Sequence, residues 1–209
     1  MNGAAGPLAV PTGNTFDKYG SASPVVRRLM ARFERAAAEL LDRAAPRSLL
    51  DVGCGEGVLT ERWAARNCGC EIVGVDLADP VLAAHWAARA VRPNLRFTAM
   101  QAETLAFADR SFELVAAMEV LEHVADPEAA LAEMARVAQR WLLVSVPREP
   151  LWRGLNLMRG AYLRRLGNTP GHLHHWTPAG FRRLLAAHGE IVAVRAPLPW
   201  TMLLVGVGP

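Results

Sequence analysis

The sequence predicts an α/β chain built on a seven-stranded, mostly parallel sheet that ends in an antiparallel hairpin. Three observations predict it. Short apolar runs of strand length alternate with helical patterns along most of the chain, and strands separated by helices build parallel βαβ units. The first of these runs passes straight into a glycine-rich turn, Gly53-Cys54-Gly55-Glu56-Gly57. The last two runs have no helical pattern between them, so they can only pair directly, as an antiparallel hairpin.

Taken in order, residues 1–15 are rich in Gly, Ala, Pro, Asn and Thr and predict a mobile tail. From Pro24 to about Ala45 the pattern is helical: Val26, Leu29, Phe33, Ala37, Leu40 and Leu41 form one apolar stripe, and Arg27, Arg28, Arg32, Arg35 and Glu39 fall largely outside it. Pro46 ends it. Strands are predicted at Ser48–Val52, Glu71–Val75, Leu95–Met100, Phe112–Met118, Trp141–Val146, Glu190–Val194 and Trp200–Val207. A helix follows the glycine turn from Val58 to about Arg66. Asp79-Pro80 and Asp126-Pro127-Glu128 each open a helix with an acidic N-cap and a proline at the first position. Thr177-Pro178 opens the last helix, which runs to about His188.

Composition sets the class. At 209 residues, 52% hydrophobic and 21% charged, the chain fits one globular domain with a two- or three-layer core. The net charge is +3, and Lys18 is the only lysine among 23 basic residues. That skew, with no dense basic run, reads as compositional bias and predicts no nucleic-acid partner. No signal peptide and no membrane span are expected. Cys54, Cys68 and Cys70 make no disulfide framework and read as reduced thiols of a cytoplasmic protein.

The strongest chemical signal is Leu49-Leu50-Asp51-Val52-Gly53-Cys54-Gly55-Glu56-Gly57. Glycines let the backbone turn sharply and approach a ligand without a Cβ clash, and the following helix start offers unpaired N–H groups. The spacing differs from the G-x-G-x-x-G dinucleotide fingerprint. Asp76, in Gly74-Val75-Asp76-Leu77, lies at the end of the second strand about 20 residues further on, where a carboxylate can accept from both ribose hydroxyls.

Together these segments resemble motif I of the class I S-adenosylmethionine-dependent methyltransferases, of the methyltransferase type 11 or ubiquinone-menaquinone branch. Further stretches resemble the family in the same order. Gln101-Ala102-Glu103-Thr104-Leu105-Ala106-Phe107 is similar to D-A-E-x-L-P-F. Asp109-Arg110-Ser111-Phe112-Glu113-Leu114-Val115 is similar to D-x-S-F-D-x-V. Glu119-Val120-Leu121-Glu122-His123-Val124 with Asp126-Pro127 is similar to V-L-E-H-V-x-D-P. The resemblance runs from about Phe16 to Val207. It implies a Rossmann-like three-layer sandwich, with 16–209 as a single domain, 16–45 as an N-terminal helical cover and 147–176 as a substrate-lid insertion.

The resemblance also implies S-adenosylmethionine as cofactor, S-adenosylhomocysteine as product, and a cofactor site. Gly53, Gly55 and Gly57 would line its methionine end with Cys54, supported by Asp51, and Asp76 with Leu77 would hold the ribose. Ala102 would meet the adenine through its backbone beside Gln101 and Glu103. Gln101 stands where the family often has Asp, and its carbonyl oxygen can still face the adenine amino group. The main-chain carbonyl near Met118, next to Glu119, would meet the methionine amino group. Phe16-Asp17-Lys18-Tyr19-Gly20 resembles a segment that folds over the cofactor. Tyr19 is the candidate there, or else a helix-packing aromatic.

Two regions are candidates for the acceptor side. His123 stands in the loop after the fourth strand, as a base, a structural hydrogen bond or a cofactor contact. Gly171-His172-Leu173-His174-His175-Trp176 carries three histidines in four residues. No acid stands near them in sequence, and alternation sends His172 and His174 one way and His175 the other. His172 is a second candidate base, His172 and His175 are candidate substrate contacts, the alternative for the cluster is a structural role, and no metal is expected. Leu151, Leu155, Met158, Tyr162 and Leu166 form a stripe with Arg153, Arg159, Arg164 and Arg165 mostly off it. This reads as a lid helix packed on the domain, or as an interfacial lid for a lipophilic substrate. Trp152 and Tyr162 are its substrate-binding candidates.

The expected function is methyl transfer to an oxygen or nitrogen of a small-molecule acceptor, in secondary metabolism or in lipid and quinone chemistry. The acceptor would be met in the cytoplasm or, for a lipophilic quinone or lipid precursor, at a membrane surface. The chain would act as a monomer or homodimer. The rivals are a nicotinamide oxidoreductase, against which G-x-G-x-G and the terminal hairpin count, and a non-catalytic S-adenosylmethionine-binding partner protein.

Overall fold

A computed structural model describes residues 19–158, 160 and 162–208. The tail expected over 1–15, Phe16-Asp17-Lys18 of the cover segment, and Arg159 lie outside the described residues. The elements run α1 (Pro24–Ala44), β1 (Ser48–Val52), α2 (Val58–Arg66), β2 (Glu71–Asp76), α3 (Pro80–Arg89), β3 (Leu95–Ala99), β4 (Phe112–Met118), α4 (Pro127–Val137), β5 (Ala138–Pro147), α5 (Leu151–Met158), α6 (Pro178–Ala186), β6 (Glu190–Arg195) and β7 (Trp200–Gly206), with a 3-10 turn at Leu163–Arg165 before α6.

The seven strands form one sheet in the order β3-β2-β1-β4-β5-β7-β6. β1 to β5 pair in parallel with one another, and β7 pairs antiparallel with both β5 and β6. The chain therefore lays β7 inside β6. The order reverses between β1 and β4, and a crevice opens at such a switch point above the carboxyl ends of the strands.

Alternation along the strands splits the core into two apolar layers. Leu50, Val52, Val115, Ala117 and Leu142 face Leu131 and Met134 of α4 and Phe181 and Leu185 of α6. Leu49, Leu114, Ala116 and Leu143 face Phe33 and Leu40 of α1 and Trp63 of α2. The strands read as nearly continuous apolar runs because both faces are covered.

The caps form as their residue types require. Asp79 accepts from the Val81 and Leu82 N–H groups at 2.7 and 3.3 Å. Asp126 accepts from Glu128 and Ala129 at 3.1 and 3.0 Å, and Thr177 from Gly180 at 3.1 Å. Each such cap contributes about 1 kcal/mol.

Several boundaries differ from the sequence reading, most by a single residue. β5 begins at Ala138, three residues before Trp141, since its early residues gain a partner in β4. The last helix stops at Ala186, and β6 extends to Arg195. The stripe from Leu151 to Leu166 is not one helix: α5 ends at Met158, and Gly160 and Tyr162 take positive φ of 72° and 56°. Apolar spacing runs on across the break, but Met158 before it and Leu166 beyond it are exposed, so the spacing marks no continuous covered face.

Candidate cofactor and acceptor site

A cavity of about 790 Å³ opens at the switch point. It is lined by the ends of β1, β2 and β4, the 100–103 stretch, the start of α1, α5 and the 169–172 loop. Its floor is the glycine turn. The Gly53 and Cys54 N–H groups both donate to the Val75 carbonyl, at 2.8 and 3.0 Å, tying the turn to β2. Gly53 has φ +71°, and a Cβ there would lie 2.4 Å from Val120 Cγ2, so only glycine fits. The Gly55 N–H donates to Asp76 Oδ2 and the Leu77 N–H to Asp76 Oδ1, each at 2.7 Å. Each carboxylate oxygen keeps a lone pair, and Asp76 stands on the cavity wall. Burial first of all raises its carboxyl pKa, against the two backbone bonds that lower it.

Asp51, 3% exposed, accepts from Thr60 Oγ1 at 2.6 Å. Burial pushes its pKa up to about 7, opposed by the Thr60 bond and helped by the Asp76 charge. Burial likewise lifts the Cys54 thiol well above its ordinary value. Tyr19 lies over this end with the Arg62 guanidinium 5.2 Å from its ring centre, and burial is the main cause that raises its phenol. Met118 ends β4, and Glu119 follows with φ +64°, a conformation that costs a non-glycine residue about 1–3 kcal/mol. That backbone aims its carboxylate at two donors, Ser145 Oγ at 3.1 Å and Trp200 Nε1 at 2.5 Å.

Tyr19, Asp51, Gly53, Cys54, Asp76, Leu77, Gln101, Ala102, Glu103, Met118, Glu119, His123, Trp152, Tyr162 and His172 all line this one cavity. Gly55, Gly57 and His175 are not on its wall. Gly55 supports it through its N–H, and its carbonyl accepts from Trp86 Nε1 at 2.8 Å. Gly57 turns toward the sheet instead, where a Cβ would meet the Phe97 ring at 2.6 Å.

At the acceptor end the histidine pattern is corrected. His172 stacks near Trp152, with ring centres 6.1 Å apart, and meets His123 edge-on at 4.8 Å. His175 is on the side of His172, at 6.4 Å, while His174 stacks on Trp176. Strand alternation fails here because the segment is loop, not strand. Acids do approach these histidines: Glu149 Oε1 is 3.6 Å from His175 Nδ1, and Glu122 is beside His123 and His172. The sequence hides both because the partners are distant along the chain.

Wall residues, and a brace that is not itself on the wall, were missed. Trp200 packs on Phe33 and Trp152 with ring centres 4.9 and 5.9 Å apart. Asn156 of α5, almost fully buried, donates to the Gly167 carbonyl at 2.8 Å and to Thr169 Oγ1 at 3.1 Å, and Trp152 Nε1 donates to the same hydroxyl at 2.9 Å. A lone asparagine inside an apolar helical stripe was the available signal. Arg136, which donates to the Phe107 and Leu105 carbonyls at 2.9 and 2.8 Å, braces the stretch after β3 and left no local mark.

The charge of the wall decides the ligand class. Asp51, Glu56, Asp76, Glu103 and Glu119 line the cavity, and among the described residues no arginine or lysine does. Such a wall suits a cationic ligand and opposes the pyrophosphate of a nicotinamide dinucleotide.

A glycine turn, a ribose-height acid and an acid-lined cavity on this sheet topology define a class I S-adenosylmethionine-dependent methyltransferase site. Comparison with known proteins agrees: the chain belongs to this methyltransferase family. The family model described as "Methyltransferase domain" matches residues 50–140. The ubiquinone biosynthesis O-methyltransferase of Xanthomonas oryzae pv. oryzae is 30% identical over 167 residues, covering 77% of this chain and 67% of that protein. Its namesake in Hahella chejuensis is 42% identical over 95 residues, 44% of this chain and 38% of that one. The chain thus spans between about two fifths and two thirds of the length of these curated relatives. Among solved structures, magnesium protoporphyrin IX methyltransferase from Synechocystis PCC 6803, with bound SAH, superposes with a TM-score of 0.66 at 17% identity, covering 90% of each chain. The family's cofactor is S-adenosylmethionine, and the residues present fit it. The tight Gly53 turn gives the backbone a close approach, Asp76 keeps lone pairs for hydroxyls, and the acidic wall matches a sulfonium and an ammonium.

Proposed function

We propose that the protein transfers the methyl group of S-adenosylmethionine to an oxygen or nitrogen of a small-molecule acceptor. The observation that carries this is the continuity of the cavity: the acidic cofactor end and the imidazole-bearing, aromatic-walled end share one space. When bound, the cofactor supplies a sulfonium-activated methyl group. Asp76 holds its ribose, and Asp51 and Glu119 keep the methionine end in negative surroundings. Gln101, Ala102 and Glu103 flank the base. Trp152, Tyr162 and Trp200 present apolar faces that position an acceptor and exclude water, from which most of the rate can come. His123 and His172 stand where the acceptor's proton must leave. The 147–176 segment acts as the acceptor cover. Transfer of labelled methyl from the cofactor to a panel of hydroxylated and aminated metabolites tests the reading. His123→Ala and His172→Ala should lower turnover with cofactor affinity within a few-fold. Absence of transfer to any acceptor, with cofactor bound, would favour a non-catalytic binding partner instead.

A second reading within the same chemistry is a lipophilic quinone or lipid precursor taken at a membrane surface. It is favoured by large apolar side chains exposed on the cover, Met158 at 78% and Leu166 at 68% among them, interleaved with Arg153, Arg164 and Arg165. No helix among the described residues is long and apolar enough to cross a membrane, so contact would be peripheral. Co-sedimentation with anionic vesicles, lost on Met158→Ser with Leu166→Ser, tests it. We place the enzyme in the cytoplasm, in small-molecule metabolism that includes secondary metabolism; the free thiols of Cys54, Cys68 and Cys70 support that compartment.

A further inference from the structure

We propose that Glu122, His123 and His172 form a binding site for a first-row divalent cation of the zinc type at the acceptor end of the cavity. One donor atom from each of the three side chains lies within 4.8 Å of the other two. Zinc–ligand distances near 2.0–2.2 Å place the ligands of a tetrahedral centre about 3.3–3.6 Å apart. Small side-chain rotations therefore close the site, and the backbone need not move.

Hydrogen bonds hold the two loops together around the trio. The Leu173 and His174 N–H groups both donate to the Glu122 carbonyl, at 2.7 and 3.3 Å, which locks the His172 loop onto the turn after β4. His123 Nδ1 is 3.0 Å from the Gly171 carbonyl. That carbonyl can only accept, so Nδ1 donates to it, and in the neutral ring Nε2 is then the nitrogen that can ligate. A ligating histidine commonly has its other nitrogen bonded to a carbonyl in this way. Gly171 takes φ +88° here, a backbone conformation that favours glycine and that sets its carbonyl against His123.

The donor set selects the ion. Two imidazoles and one carboxylate suit zinc, cobalt or iron, whereas magnesium and calcium prefer oxygen throughout. Three protein ligands leave a coordination position open, and His123 and His172 stand on the cavity wall, so that position faces the acceptor space. Glu122, at 1% exposure, is a carboxylate that a dication suits. An acceptor hydroxyl on the open position would be acidified by the cation. Its proton would pass to water, with the two imidazoles acting as ligands. This use rests on the acceptor site proposed above, but cation binding is measurable without any acceptor.

The test uses the tag-free full chain, stripped with chelator and titrated with Zn²⁺ by calorimetry and with Co²⁺ by visible absorption. One equivalent should bind, with the d–d bands of a four- or five-coordinate cobalt centre. His172→Ala and Glu122→Gln should each weaken binding by at least about tenfold, while His174→Ala, outside the trio, leaves it unchanged. Circular dichroism and S-adenosylhomocysteine affinity report whether each variant is folded; if Glu122→Gln is not, His172→Ala alone decides. No stoichiometric binding, or binding that survives His172→Ala, or binding lost equally in His174→Ala, would overturn the site. Methyl transfer that persists in the stripped protein would leave the methyltransferase reading standing and remove the cation from it.

Discussion

Asp76→Ala should weaken binding of S-adenosylmethionine and S-adenosylhomocysteine about 10- to 100-fold. The carboxylate accepts from the Gly55 and Leu77 N–H groups at 2.7 Å each and still has lone pairs for two ribose hydroxyls. Loss of one charged acceptor to a hydroxyl costs about 1.5–3 kcal/mol, which is about one to two decades in affinity. Part of the loss would come from loosening the turn, because Gly55 loses its acceptor. A cycle separates the two contributions. Calorimetric affinities are measured for wild type and variant, against S-adenosylhomocysteine and its 2′-deoxy and 3′-deoxy forms. If Asp76 holds the ribose, removing the hydroxyl costs wild type about tenfold and costs the variant little, a clear departure from additivity. Equal hydroxyl penalties in both proteins, with the fold intact, would refute the ribose assignment and leave Asp76 as a brace of the glycine turn.

Asp51 gives a pH dependence of definite sign. Its folded pKa of about 7 lies above the ordinary value of 3.8, so its contribution to stability is fully present below about pH 4 and is lost as pH rises through about 7. The ligand-free protein should therefore lose thermal stability across that window relative to Asp51→Asn, and parallel curves from scanning calorimetry would contradict this. Trp200→Ala, at a buried ring that packs on Phe33 and Trp152, should cost about 3–5 kcal/mol in urea unfolding and raise the acceptor KM; a change under 1 kcal/mol would show that the cavity wall does not depend on it. Asp126→Ala removes the α4 cap and should cost about 1 kcal/mol, about 2–4 °C in Tm for a chain of this size, with unchanged cofactor affinity. A larger loss in affinity would place α4 in the site.

Most of the fold was legible because its signals are local. Proline and an acidic cap fix where α3 and α4 begin, whatever the rest of the chain does, and the apolar runs of β1 and β4 are buried on both faces in any doubly wound sheet. The glycine turn and Asp76 were legible for the same reason, as short segments with fixed spacing. What stayed hidden depends on partners far along the chain. That β7 lies inside β6 follows from its pairing with β5, from Pro147↔Trp200 to Trp141↔Gly206, and no local pattern encodes it. Trp200 becomes a cavity wall only because that pairing carries it to Glu119, and Glu122 meets His172 only because the two loops share one rim. The break after Met158 was hidden too, since periodicity records the spacing of apolar residues and not whether the backbone turns at Gly160.

The same burial that lifts the Asp51 carboxyl ties its charge to that of the ligand. In the ligand-free protein the carboxyl is half protonated near pH 7, because a charge this deep is costly without a counter-charge. A cation held beside it restores the ordinary order and draws the proton off, so cofactor binding near neutral pH should release protons to the buffer. Methyl transfer turns a sulfonium into a neutral thioether and takes that counter-charge away. Asp51 is then left once more as a buried carboxylate favoured only when protonated, with the Asp76 charge still raising its pKa. The acids that line the cavity should then hold the spent cofactor less well than the fresh one, and Asp51 should take its proton back. An acidic wall without arginine or lysine among the described residues should thus favour the sulfonium form over the neutral thioether more than a neutral wall of the same shape would; equal calorimetric affinities for S-adenosylmethionine and S-adenosylhomocysteine would refute this.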